Sequence, residues 1–186
     1  MKKLLIIAAC IVATAPAFTQ SAHFGIKGGL NIASFHTDDG LDYGSRTSFN
    51  IGGLAHIHVS DHFAVQPELF YSGQGAERNS QTAQLGYINL PVLGQYMFGN
   101  GFRLETGPQL GFLVAAKQKS GGTHADVKDD FDNIDFSWAF GASYQFPRSG
   151  AGIDARYNLG LTDIYEPSPS VKNSVFSIGL FYQFMK

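Results

Sequence analysis

Residues 86–98 read GYINLPVLGQYMF, thirteen residues without a charge. Ile88, Leu90, Val92, Tyr96 and Phe98 fall on one side of a period-two pattern and Asn89 and Gln95 on the other, which is the signature of a β-strand with two unlike faces. Pro91 sits in the middle. Proline donates no ladder hydrogen bond and normally avoids the interior of a sheet. Pro67 and Pro108 fall in the same way inside the preceding and following runs. Apolar alternation continues through all three, so a register-shifting bulge is not expected there. The reading is of isolated missing ladder bonds, with the carbonyls concerned served by inward side chains or water.

The same alternation recurs along the chain. Phe24, Ile26, Leu30 and Ile32 oppose Lys27 and Asn31; Phe49, Ile51, Ala55, Ile57 and Val59 oppose Asn50, His56 and His58; Phe63, Val65, Leu69 and Tyr71 oppose Gln66, Glu68 and Ser72. Further runs begin at Phe102, Ile134, Ile153 and Phe176, giving eight expected strands. The connections alternate in length. Polar stretches at 36–46, 73–84, 118–133 and 165–173 read as long loops, whereas 60–61, 99–101 and 147–150 read as tight turns. Long loops at one end and short turns at the other are the asymmetry of an antiparallel up-and-down transmembrane barrel.

A soluble barrel of the lipocalin kind is the competing architecture, with its apolar face lining a cavity and scattered charge outside. Two features argue against it. The apolar face carries no charge in any strand, and near the tight turns it gathers Phe63, Tyr96, Phe98, Phe102, Tyr144, Phe146, Tyr182 and Phe184, like an aromatic girdle at a membrane interface. The second face holds Lys27, Arg103 and Arg156 against Glu68, Glu105, Asp135 and Asp154, a nearly balanced set suited to a paired interior. The fold expected is therefore an all-β, eight-stranded membrane barrel.

The N-terminus agrees with export. Lys2 and Lys3 precede an apolar run from Leu4 to Ala15 and the small-residue stretch Ala15-Pro16-Ala17, the order of a secretory signal. Residues 1–22 are read as the signal peptide and 23–186 as the barrel domain. The only cysteine, Cys10, lies in the signal, so the mature domain has no disulfide. Only 15% of residues are charged, net charge is -2, and 22 glycines, 16 phenylalanines and 8 tyrosines favour β structure. No basic patch or arm points to nucleic acid.

YINLPVLGQYMF (87–98), LETGPQLGFLVAAK (104–117), DARYNLGLTDIY (154–165) and VFSIGLFYQF (175–184) resemble the PorT-like outer-membrane β-barrel family of diderm bacteria. The resemblance implies outer-membrane lipid as surroundings and insertion by the barrel-assembly machinery. Tyr182 and Phe184 resemble the carboxy-terminal assembly signal, although Met185 and Lys186 follow them. Gln95 stands where the family often has a basic residue. The family is functionally broad, so the fold does not supply a function.

Counted from the tight turns, Lys27, Glu68, Arg103, Glu105, Asp154 and Arg156 occupy one half of the barrel interior, with Asp135 near the other end. An unpaired cation facing lipid at mid-depth costs about 2–4 kcal/mol, so these groups are expected inward, forming a plug centred on Arg103, Glu105, Asp154 and Arg156. Such a lumen favours a structural or interaction protein whose loops meet envelope partners. The alternatives are a narrow pore for small solutes and a lipid A-modifying enzyme, the latter because His58 and Ser60 resemble the histidine and serine spacing of lipid A deacylases. His56 and His58 share a side and could ligate a metal with a third group, but no carboxylate or cysteine partner is evident. The acidic stretch Asp126, Asp129, Asp130, Asp132 and Asp135 lacks the glycine and closing glutamate of an EF-hand. No catalytic residue, metal or cofactor is assigned.

Overall fold

The structure, a computed structural model, describes residues 22–37, 43–78, 81–120, 123–164 and 171–184. The expected signal segment falls, apart from Ala22, outside the described residues, as do 38–42 and 165–170 within two of the expected loops. The strands are β1 (Ala22–Thr37), β2 (Gly44–His58), β3 (Phe63–Arg78), β4 (Gln81–Met97), β5 (Phe102–Ser120), β6 (Thr123–Asp126), β7 (Ile134–Gln145), β8 (Ala151–Gly160) and β9 (Val171–Gln183). All pairings are antiparallel, and they run in a ring: β1 pairs with β2 and β9, β3 with β2 and β4, β5 with β4 and β7, and β8 with β7 and β9. Eight long strands thus close the barrel and leave no free edge in the wall. The short β6 folds back on β5 above the wall, pairing Lys117 with Asp126 and Ser120 with Thr123.

The alternation sets the orientation. Phe24, Ile26, Leu30, Ile51, Leu69, Val92, Leu104, Phe140, Ile178 and Leu180 are all exposed, while Lys27, Asn31, Asn50, Glu68, Gln95, Glu105 and Arg156 are buried. A soluble protein does not turn one face out in this way; a barrel in lipid does. At the tight-turn end the outward aromatics touch edge to face: Phe63 with Tyr96 at 5.1 Å, Tyr96 with Phe98 at 4.9 Å, Tyr144 with Phe146 and Tyr182 with Phe184 at 5.6 Å each. This belt marks the tight-turn boundary of the lipid-facing band.

Three of the expected loops change. The stretch 73–84 is not a long loop: β3 and β4 continue through it to a hairpin, pairing Gln74 with Leu85 and Arg78 with Gln81. In the same way β1 reaches Thr37, β2 begins at Gly44 and β6 lies inside 118–133. The strands of 16 to 19 residues in β3, β4 and β5 therefore exceed the roughly 9–11 that cross a bilayer. Their upper parts stand above the lipid, where no apolar environment demands an apolar outer face, and the sequence there reads as polar.

The three prolines leave the register intact. Phe63 to Arg78 keep one alignment with β4, and Phe102 to Phe112 keep one with β7. The shift in the β4–β5 ladder falls at Gly86 and Tyr87, away from Pro91. Because Phe98 N–H bonds to Phe102 C=O at 3.0 Å, alternate pairs up the same ladder bring Pro108 opposite the Val92 carbonyl, which receives no amide from it. That oxygen lies against Gly107, where an ideal Cβ would sit 2.1 Å from it. Only glycine admits this approach, and a Cα–H contact stands in place of the lost N–H.

Candidate functional site

The interior is built in storeys, and β1 alone samples each of them through inward residues four apart: His23, Lys27, Asn31 and Phe35. Lys27 lies in the lower, periplasmic half. Its Nζ is 3.3 Å from Glu68 Oε2 and 3.4 Å from Asp154 Oδ2. Arg156, brought to the same height by β8, donates from Nη1 to Glu68 Oε2 at 2.8 Å and from Nη2 to Glu68 Oε1 at 2.9 Å, a two-pronged contact. It also reaches Glu105 Oε1 from Nη2 at 2.7 Å and from Nε at 3.0 Å. Gly141 leaves the necessary space, since a Cβ there would lie 2.9 Å from Glu105 Oε1.

Glutamines extend this layer. Gln66 Nε2 donates to Glu68 Oε1 and Gln95 Nε2 to Glu105 Oε2, both at 2.8 Å. Gln95, where the family often carries a cation, thus supplies a neutral donor to a carboxylate already held by Arg156. The void enclosed by these side chains measures about 10 Å³, the lower limit for one water.

The sequence places the lower charges together but misplaces their hub. Glu68 and Arg156 form it, joined by Lys27, Glu105 and Asp154. Arg103 stands aside and donates to Gln145 Oε1 instead of a carboxylate. Its position on β5, two residues nearer the periplasmic turn than Glu105, carries its guanidinium below the hub. Asp135 is buried higher in the barrel, where Thr162 Oγ1 donates to it at 3.2 Å.

Above the charges is a layer of amides and hydroxyls. Asn50 Nδ2 donates to Asn31 Oδ1 at 2.6 Å, Asn31 Nδ2 to Ser72 Oγ at 2.9 Å, Gln74 Nε2 to Ser72 Oγ at 3.0 Å, and Asn173 to Gln74. Higher again the interior turns apolar: Phe35, Ala76, Leu85, Tyr87, Leu113, Ala116, Ile164 and Val171 pack as one buried cluster. Sequence reading missed this cap. Leu85 and Tyr87 are legible as inward because they alternate with Ile88 and Leu90. Ala116 is not, because the one-residue shift opposite Gly86 and Tyr87 reverses the parity of β5 beyond Leu113.

The other candidates take structural positions. Ser60 Oγ accepts from the N–H of His62 at 3.4 Å and of Phe63 at 3.1 Å, holding the β2–β3 turn. In the acidic stretch, Asp126 Oδ1 accepts from Lys128 N–H at 3.0 Å at the head of a short 3₁₀ turn, and Asp129, Asp130 and Asp132 are exposed. Tyr182 and Phe184 face outward in the periplasmic belt, with Phe184 N–H bonded to Phe24 C=O at 2.8 Å.

A family profile described as an outer membrane protein beta-barrel domain matches residues 18–166. The chain belongs to that family. This outer-membrane barrel superposes on neisserial surface protein A with a TM-score of 0.64 at 17% identity, over 88% of this chain and 99% of that one. Ail, the attachment invasion locus protein of Yersinia pestis, gives 0.57 at 17% identity with the same coverage. At such identity the likeness is one of fold. No curated protein matches the sequence. The outer-membrane barrel is accordingly a small eight-stranded protein of the cell outer membrane, with its lipid-facing band and girdle in the bilayer.

Proposed function

We propose that this barrel is a structural or interaction protein with a closed lumen, an anchor that holds the tall β3–β4 and β5–β6 hairpins above the membrane for contact with envelope or external partners. The observation that supports this reading is the filling of the lumen at two heights: an ion-paired layer around a void of about 10 Å³ below and a packed apolar cluster above. A hydrated solute path would have to break both, separating buried charges and wetting apolar side chains. The use of Ser60 Oγ by its own turn supports a non-enzymatic role. Ail, an attachment protein by name, is built on the same fold, which supports an outward-facing role without identifying a partner.

Within this reading the kinship is with the PorT-like branch, residues 1–22 are a signal removed during export, and the assembly machinery recognises Tyr182 and Phe184 at the end of β9. Reconstitution in planar bilayers tests the central claim. The expected record shows no steady conductance above the lipid baseline. A large, persistent single-channel current from the wild type would refute the anchor reading and favour the narrow pore.

A further inference from the structure

The register of β1 on β2 places His23 opposite His56, and His58 follows two residues on, so three imidazoles meet at the periplasmic mouth. The rings of His56 and His58 are 4.6 Å apart and those of His58 and His23 are 5.7 Å apart, centroid to centroid.

The hydrogen bonds around His56 fix its tautomer. Gln66 spends its N–H on Glu68 Oε1 at 2.8 Å, so its carbonyl oxygen is the atom 3.3 Å from His56 Nδ1. Nδ1 therefore carries the proton and Nε2 offers a lone pair. His56 is 1% exposed, yet Nε2 has no hydrogen-bond partner. A carbonyl that holds the far nitrogen, itself fastened by a carboxylate, is the supporting arrangement that orients a metal-binding histidine. Gln95 is fixed in the same manner by Glu105 and lies beside His56. Arg103 is the opposing cation; it is tied to Gln145, while Glu68 and Glu105 lie just above.

We propose that His23, His56 and His58 form a site for a divalent transition metal of the zinc, copper or nickel class, open to the periplasm. Imidazole is the ligand these ions favour. Among the described residues no three ligating groups converge as the side chains stand. Binding requires the half-buried rings of His23 and His58 to turn about χ1 and χ2 toward His56 Nε2.

The test uses untagged, folded mature barrel in detergent, titrated with Co²⁺ for its four-coordinate visible spectrum and then with competing Zn²⁺. One ion per chain is expected. His56→Gln and His23→Gln should each weaken binding at least ten-fold, and His62→Gln, whose ring stacks outward on Tyr96, should leave it unchanged. His23 lies at the start of β1, outside the charged layer, so His23→Gln remains decisive if His56→Gln disturbs folding. Absence of a wild-type Co²⁺ complex, or equal binding by the folded His23→Gln variant, would overturn the proposal.

Discussion

The lower and upper halves of the lumen are filled by different physics. Below, Glu68, Arg156, Lys27, Glu105 and Asp154 compensate one another, and each charge depends on a named partner. Above, Leu85, Tyr87, Leu113 and Ile164 fill space without directional bonds. A paired layer tolerates little loss, because removing one ion leaves another buried and uncompensated. An apolar layer degrades by volume, and its neighbours can partly close the gap.

The most severe break should come from Arg156→Ala, which strands Glu68 and Glu105 together. A loss of about 3–5 kcal/mol is expected in equilibrium urea unfolding from lipid vesicles. Arg103→Ala, which costs a hydrogen bond to Gln145 rather than a place in the Glu68 hub, should do much less; a loss as large as that of Arg156→Ala would contradict the placement of the hub at Glu68.

In the cap, Leu113→Ala should destabilise by about 2–5 kcal/mol, toward the lower end if Phe35 and Tyr87 settle into the space. The same unfolding experiment measures it. A cost below about 1 kcal/mol would mean that the cap is loosely packed and that the charged layer alone closes the barrel.

The smallest effect is expected outside both storeys. Pro108→Ala supplies the missing N–H to Val92 C=O, a gain of about 1 kcal/mol that the greater freedom of the unfolded chain partly cancels. Amide exchange is the sharper readout: the N–H introduced at position 108 should be protected like its neighbours. Rapid exchange there would show that the Gly107 contact, not the proline, sets the spacing of these strands.

The outward face was legible because lipid imposes a strict rule on every second residue. Ile88, Leu90 and Val92 had to be apolar, and Lys27, Glu68 and Arg156 had to turn inward, wherever their partners lay. The hairpins above the membrane obey no such rule, so Gln74, Glu77 and Gln81 read as loop although they are strand. The metal-site candidate divides in the same manner. His56 and His58 share a side by spacing alone, but His23 joins them only through the pairing of β1 with β2.

The sequence by itself determined a membrane barrel, its two faces, its periplasmic girdle and the set of charges that must share the interior, because the cost of exposing charge to lipid acts locally on each residue. Only the tertiary structure decided that Arg156 rather than Arg103 joins Glu68 to Glu105, and that inward Leu85, Tyr87 and Leu113 meet as a cap. Those outcomes depend on strand register around a closed ring, where a one-residue shift such as that opposite Gly86 and Tyr87 changes which side chains face each other.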